Sequence, residues 1–116
     1  MIAILLAAAL ASQSASKYDA PPIDPNKEGL LAIMREQPFW EGSSTKTPDE
    51  LTLCVVSALW HHDMNAGAFP AGGSVYVKTQ FTLARLSPRN GGGTDVTLWG
   101  GGGSKSGIVP RVRGCL

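Results

Sequence analysis

Residue types that could do chemistry gather at three places in this chain. His61-His62-Asp63 is the sole histidine cluster, and imidazole with carboxylate is a Zn2+ donor set. Adjacent residues on a helix point about 100° apart, so a metal there would need His61 or His62 plus a carboxylate from elsewhere. At a helix C-terminus the same residues also serve to complement the helix dipole. A second place, Gly100-Gly101-Gly102-Gly103-Ser104-Lys105-Ser106, has the flavour of a phosphate-binding loop. Such a loop needs a glycine directly before the Lys and another five residues earlier, with a helix following. Here Ser104 and Trp99 hold those positions, and Gly107-Ile108-Val109-Pro110 reads as a strand, so a hairpin loop is expected.

The third place is the cysteine pair, Cys54 and Cys115. Neither carries a redox or nucleophile motif, and no Gly-x-Ser-x-Gly elbow occurs, so no catalytic residue is assigned. Leu51-Thr52-Leu53-Cys54 imitates a lipid-attachment signal but lies inside a helical pattern, far from an N-terminal leader.

Compartment gives the cysteines their meaning. Residues 2–11 are an unbroken Ile, Leu and Ala run followed by Ser12-Gln13-Ser14-Ala15-Ser16, the layout of a secretory signal over residues 1–16. Small residues permit cleavage after Ala11 or after Ser16. The apolar run is too short to span a bilayer, for which roughly 20 residues are needed, so no stable transmembrane anchor is expected. No Lys or Arg precedes Ile2, and the true start lies upstream if a basic n-region exists. A periplasmic or extracellular protein with two cysteines is expected to pair them, and closing a loop of about 60 residues is worth on the order of 4 kcal/mol.

The elements that must position these groups are legible in part. Residues 17–23 read as an extended lead-in, and residues 24–116 as a single small domain. Asp24-Pro25 offers a cap for a short helix carrying Leu30, Leu31, Ile33 and Met34, ended by Pro38. Phe39 and Trp40 fall in a connector, and residues 42–46 in a loop. Thr47-Pro48-Asp49-Glu50 is a capping box with proline at the first helical position, and Leu51, Cys54, Val55, Ala58 and Leu59 share one helical face. From Gly67 the periodicity turns to alternation: one long strand with Val75, Val77, Phe81 and Leu83 inward, a second over Thr94 to Trp99, and a third from Ile108 to Cys115 with Pro110 at an edge. The expected fold is therefore α+β, two N-terminal helices packed on a three-stranded antiparallel meander, with one disulfide.

With 10 Lys+Arg against 9 Asp+Glu and no polybasic run, no nucleic-acid partner is expected. At 116 residues the chain is also too short for a dinucleotide-binding enzyme built of two halves or a (β/α)8 barrel. No cofactor is indicated. Alternation sends Tyr76, Lys78, Trp99, Arg111 and Arg113 to the outer face of the sheet, residue types that carry energy at interfaces. The function expected is that of a small exported, non-catalytic binding or accessory protein whose partner is a protein or an envelope polymer. Two alternatives stand beside it: an exported hydrolase inhibitor acting through residues 100–103, and a small metal-dependent or hydrolytic enzyme using His61 or His62 with Asp63.

Overall fold

The computed structural model describes residues 29–61 and 65–116. In chain order these form α1 (Leu30–Arg35), β1 (Trp40–Ser44), α2 (Pro48–Trp60), β2 (Gly67–Ala71), β3 (Ser74–Lys78), β4 (Thr82–Pro88), β5 (Thr94–Gly100), a 3-10 turn (Gly102–Ser104) and α3 (Lys105–Arg113). All five strands join one antiparallel sheet in the order β1-β5-β4-β3-β2. The chain is a mixed α+β protein, but not two N-terminal helices on a three-stranded meander: the sheet has five strands and a helix closes the chain. The expected signal, its cleavage sites, the lead-in and the Asp24 cap lie outside the described residues.

Three local causes produce the difference. First, the long strand expected through residues 75–83 is a hairpin: the Thr79 amide donates to the Thr82 carbonyl at 2.9 Å, and the Thr82 amide to Thr79 Oγ1 at 3.0 Å. Reversal there moves the following residues to the other face, since side chains alternate with a period of two. Val77 pairs with Ala84 on the helix-covered side, whereas Leu83 pairs with Lys78 on the opposite one, and Phe81 at the turn is exposed. Second, two strands arise from segments without an alternating apolar pattern. β1 (WEGSS) and β2 (GAFPA) are the two edges of the sheet. The two-residue turn Gly72-Gly73, with φ of 58° and 82°, puts the Pro70↔Val75 pair where no ladder bonds are exchanged. The missing N–H of Pro70 therefore faces the open edge and costs nothing.

Third, residues 105–113 are a helix rather than a strand. Ile108, Val112 and Cys115 are spaced i, i+4, i+7, so a helix buries all three on one face, whereas alternation would turn Cys115 outward. Pro110 sits inside this helix and leaves the Ser106 carbonyl without its amide donor.

The helix α2 follows its sequence signals: Thr47 Oγ1 accepts from the Glu50 amide at 3.2 Å, and both halves of the capping box are present. Leu51, Val55, Ala58 and Leu59 from α2 meet Val77, Ala84, Leu86, Val96 and Leu98 from the sheet and Ile108 and Val112 from α3 in one core. Each fully buried large aliphatic side chain there contributes about 1.5–3 kcal/mol. The bridge Cys54–Cys115 (Cα–Cα 5.7 Å) joins α2 to the end of α3. Cys54 itself lies at the exposed margin of α2 rather than on its inward face, while Cys115 is buried. Ser44 Oγ donates to the Leu116 carbonyl and Lys46 Nζ to that of Cys115, tying the last residues to the end of β1. Gly100 makes the exit from β5: it holds φ 80°, and a Cβ would run into the Phe81 carbonyl, which accepts from the Gly101 amide at 2.8 Å.

Candidate functional site

Among the described residues, α2 and α3 cover one side of the sheet and only the short α1 lies against the other. Trp99 Nε1 donates to the Glu36 carbonyl at 3.2 Å, and Leu30, Leu31 and Met34 line an apolar hollow with Phe69 and Tyr76. Among the described residues no other helix covers that face, on which Leu83 and Trp99 are themselves buried.

Strand register orders what it presents. Glu41, Thr97, Arg85, Tyr76 and Phe69 make one row across all five strands. Ser43, Asp95, Ser87 and Ser74 make the next, with Ser74 and Ser87 hydroxyls 3.0 Å apart. Arg85 is central in both directions, since β4 is the middle strand. Around it a cleft of about 380 Å³ is lined by Glu41, Gly42, Arg85, Ser87, Asp95, Val96 and Thr97. Val96 points to the core on the far side, and Gly42 has no side chain. Every side chain facing the cleft is thus polar.

Electrostatically the cleft is uneven. Asp95 is held by Arg89 at 3.3 Å, the one ion pair among the described residues. Arg85 has no such partner among the described residues: its guanidinium carbon lies 5.1 Å from the Trp99 ring centre, and its Nε is sealed from solvent with no acceptor among them. A cation over an aromatic ring gains about 0.5–2 kcal/mol, whereas an unpaired buried donor alone costs about 1–3 kcal/mol. The ring therefore orients Arg85 without satisfying it.

The five residues expected to share an outer face do not. Tyr76, Lys78 and Trp99 lie on this side of the sheet, but Arg111 and Arg113 project from α3 in the opposite layer, because their segment is helical. Trp99 is buried at 3% exposure and so supports Arg85 rather than meeting a partner. Tyr76 stacks on Phe69, with centroids 5.6 Å apart, and Lys78 Nζ donates to the Thr79 and Gln80 carbonyls. Sequence alone missed Arg85. Its signal is a charge set between Leu83-Ala84 and Leu86 in an apolar run, and it became meaningful only once the hairpin placed residue 85 on the open face.

His61 caps the end of α2, and its Nε2 lies 2.8 Å from Arg111 Nη2. His62 and Asp63 lie outside the described residues, and no group of three metal-ligating side chains occurs among those described. Residues 100–103 do not form a hairpin loop; they lead from β5 through the 3-10 turn into α3. Lys105 lies over the Phe39 ring, with Nζ 5.6 Å from its centre. No described helix is long and apolar enough to cross a membrane. No protein-family model, curated protein or solved structure matches this chain.

Proposed function

We propose that this chain is a non-catalytic ligand-binding or accessory protein acting in the periplasm or outside the cell, and that its contact site is the polar cleft around Arg85. One observation carries the assignment: an arginine on the middle strand of the sheet, oriented by Trp99, whose buried Nε has no acceptor among the described residues. A ligand acceptor offsets the desolvation of that group in a way the protein's own residues do not. The cleft volume, about 380 Å³, falls within the roughly 300–1,000 Å³ of small-ligand sites. Support for the compartment comes from the Cys54–Cys115 bridge, which persists in oxidising surroundings, together with the signal-like residues 1–16.

The test is a screen of oligosaccharides and small organic anions against the wild type, Arg85→Met and Arg113→Met. Ligands captured by the wild type and by Arg113→Met should be lost by Arg85→Met. Capture indifferent to Arg85, or no capture at all, overturns the assignment.

A further inference from the structure

The cleft constrains its ligand more closely than "an acceptor", and we infer that it takes an acidic saccharide: a hydroxyl-rich chain carrying a carboxylate on its sugar ring. This inference rests on the Arg85 cleft being the binding site. Its first ground is charge. With Asp95 engaged by Arg89, the cleft keeps one cation, Arg85, and one carboxylate, Glu41, that have no ion-pair partner among the described residues. Their strands are two steps apart in the sheet, about 10 Å at the usual strand spacing. A matching ligand presents a negative acceptor at one end and hydrogen-bond donors at the other. A simple inorganic anion supplies only the first.

The second ground is the lining itself. Between Arg85 and Glu41 stands the Thr97 side chain, with Ser87 and Asp95 in the neighbouring row and no apolar side chain facing the cleft. A peptide end would leave its side chains without an apolar seat, whereas a hydroxylated ring is polar around its whole edge and can both donate and accept. The third ground is access: β1 is an edge strand, so the cleft runs out at the margin of the sheet beside Glu41 and admits a chain longer than itself. In the bound arrangement the carboxylate accepts from the Arg85 guanidinium, and ring hydroxyls donate to Glu41 and exchange hydrogen bonds with Thr97 and Ser87.

Calorimetric titration of the full chain with oligogalacturonate, with the uncharged oligogalactan and with free glutamate tests this. Oligogalacturonate should bind the wild type at least tenfold more tightly than oligogalactan, and more weakly as salt rises, because exposed charge pairs are screened. Arg85→Met should lose tenfold or more. Arg85→Lys, which keeps the charge and guards against a folding artefact, should lose less because it lacks the guanidinium fork. Glu41→Gln should weaken both saccharides. If oligogalactan or glutamate binds as well as oligogalacturonate and still requires Arg85, the ligand class is overturned and the cleft stands. If oligogalacturonate binding survives Arg85→Met, the class and the cleft fall together. Absence of binding by all three probes overturns the acidic-saccharide inference and leaves the cleft to the wider screen.

Discussion

A single arginine becomes informative here because of what surrounds it rather than what it is. Arg85 has Leu83 and Leu86 as near neighbours in sequence, where an ionised side chain is an anomaly, yet the residue that orients it, Trp99, lies on the next strand. From sequence the open face could be listed only by alternation, which named Tyr76, Lys78 and Trp99 correctly and Arg111 and Arg113 wrongly as companions on one sheet. Alternation carries no information about pairing, and the Thr79–Thr82 reversal has no Gly, Pro or Asn to announce it. Glycine supplies the residue-scale test of the fold. Gly91 and Gly100 both hold positive φ, 88° and 80°, but a Cβ at Gly91 meets open space whereas one at Gly100 meets the Phe81 carbonyl. Gly91→Ala should therefore cost only the left-handed backbone penalty, about 1–2 kcal/mol. Gly100→Ala should cost clearly more, through that clash and the strained Gly101 amide bond. Urea denaturation of the two variants checks the order, and equal losses would refute the close approach.

Among the elements, those with chemical punctuation were legible and those defined by tertiary pairing were not. The capping box at Thr47 marked the start of α2 unambiguously, because its two reciprocal bonds need only residues three apart. The edge strands β1 and β2 carry no such mark: Trp40–Ser44 and Gly67–Ala71 are strands because β5 and β3 hold them. Helix α3 was concealed by Pro110 and by β-branched Ile108, Val109 and Val112, although the spacing of Ile108, Val112 and Cys115 was helical. Two substitutions probe these helices in opposite directions. Thr47→Ala removes the cap and should destabilise by about 1 kcal/mol. Pro110→Ala restores an amide donor for the Ser106 carbonyl and relieves the ring clash, worth about 3 kcal/mol, against about 0.4–1 kcal/mol of chain stiffness lost from the unfolded state. A net rise in stability of about 2–2.5 kcal/mol is expected from thermal unfolding, and a fall would mean that the helix is not continuous through residue 110. On the other side of the sheet, Trp99→Phe deletes the bond to the Glu36 carbonyl. It should raise amide exchange across residues 30–36 while leaving α2 protected.

At the scale of the whole molecule the layers meet in one apolar core, and the disulfide adds a covalent tie between α2 and the end of α3. α3 buries only Ile108 and Val112 from its own length, and the last residues are otherwise tied down by Ser44 and Lys46. The Cys54–Cys115 bridge closes a separation of 61 residues that takes in the entire run from β2 to α3, so it restrains the unfolded chain over more than half of its length. Chain entropy assigns such a crosslink on the order of 4 kcal/mol, against a total stability of about 5–15 kcal/mol for a domain. Reduction, or the double substitution Cys54→Ser with Cys115→Ser, should therefore remove about a quarter or more of the stability without rearranging the sheet, whose strands pair independently of α3. The expected signature is a large drop in the urea midpoint, with amide exchange first rising over residues 108–114 and protection in β4 and β5 lost only at global unfolding. Ligand binding in the Arg85 cleft, on the face away from the bridge, should survive reduction under native conditions. A reduced protein whose cleft no longer binds would instead show that α3 sets the geometry of the open face through the core, making the covalent state a condition of binding rather than of stability alone.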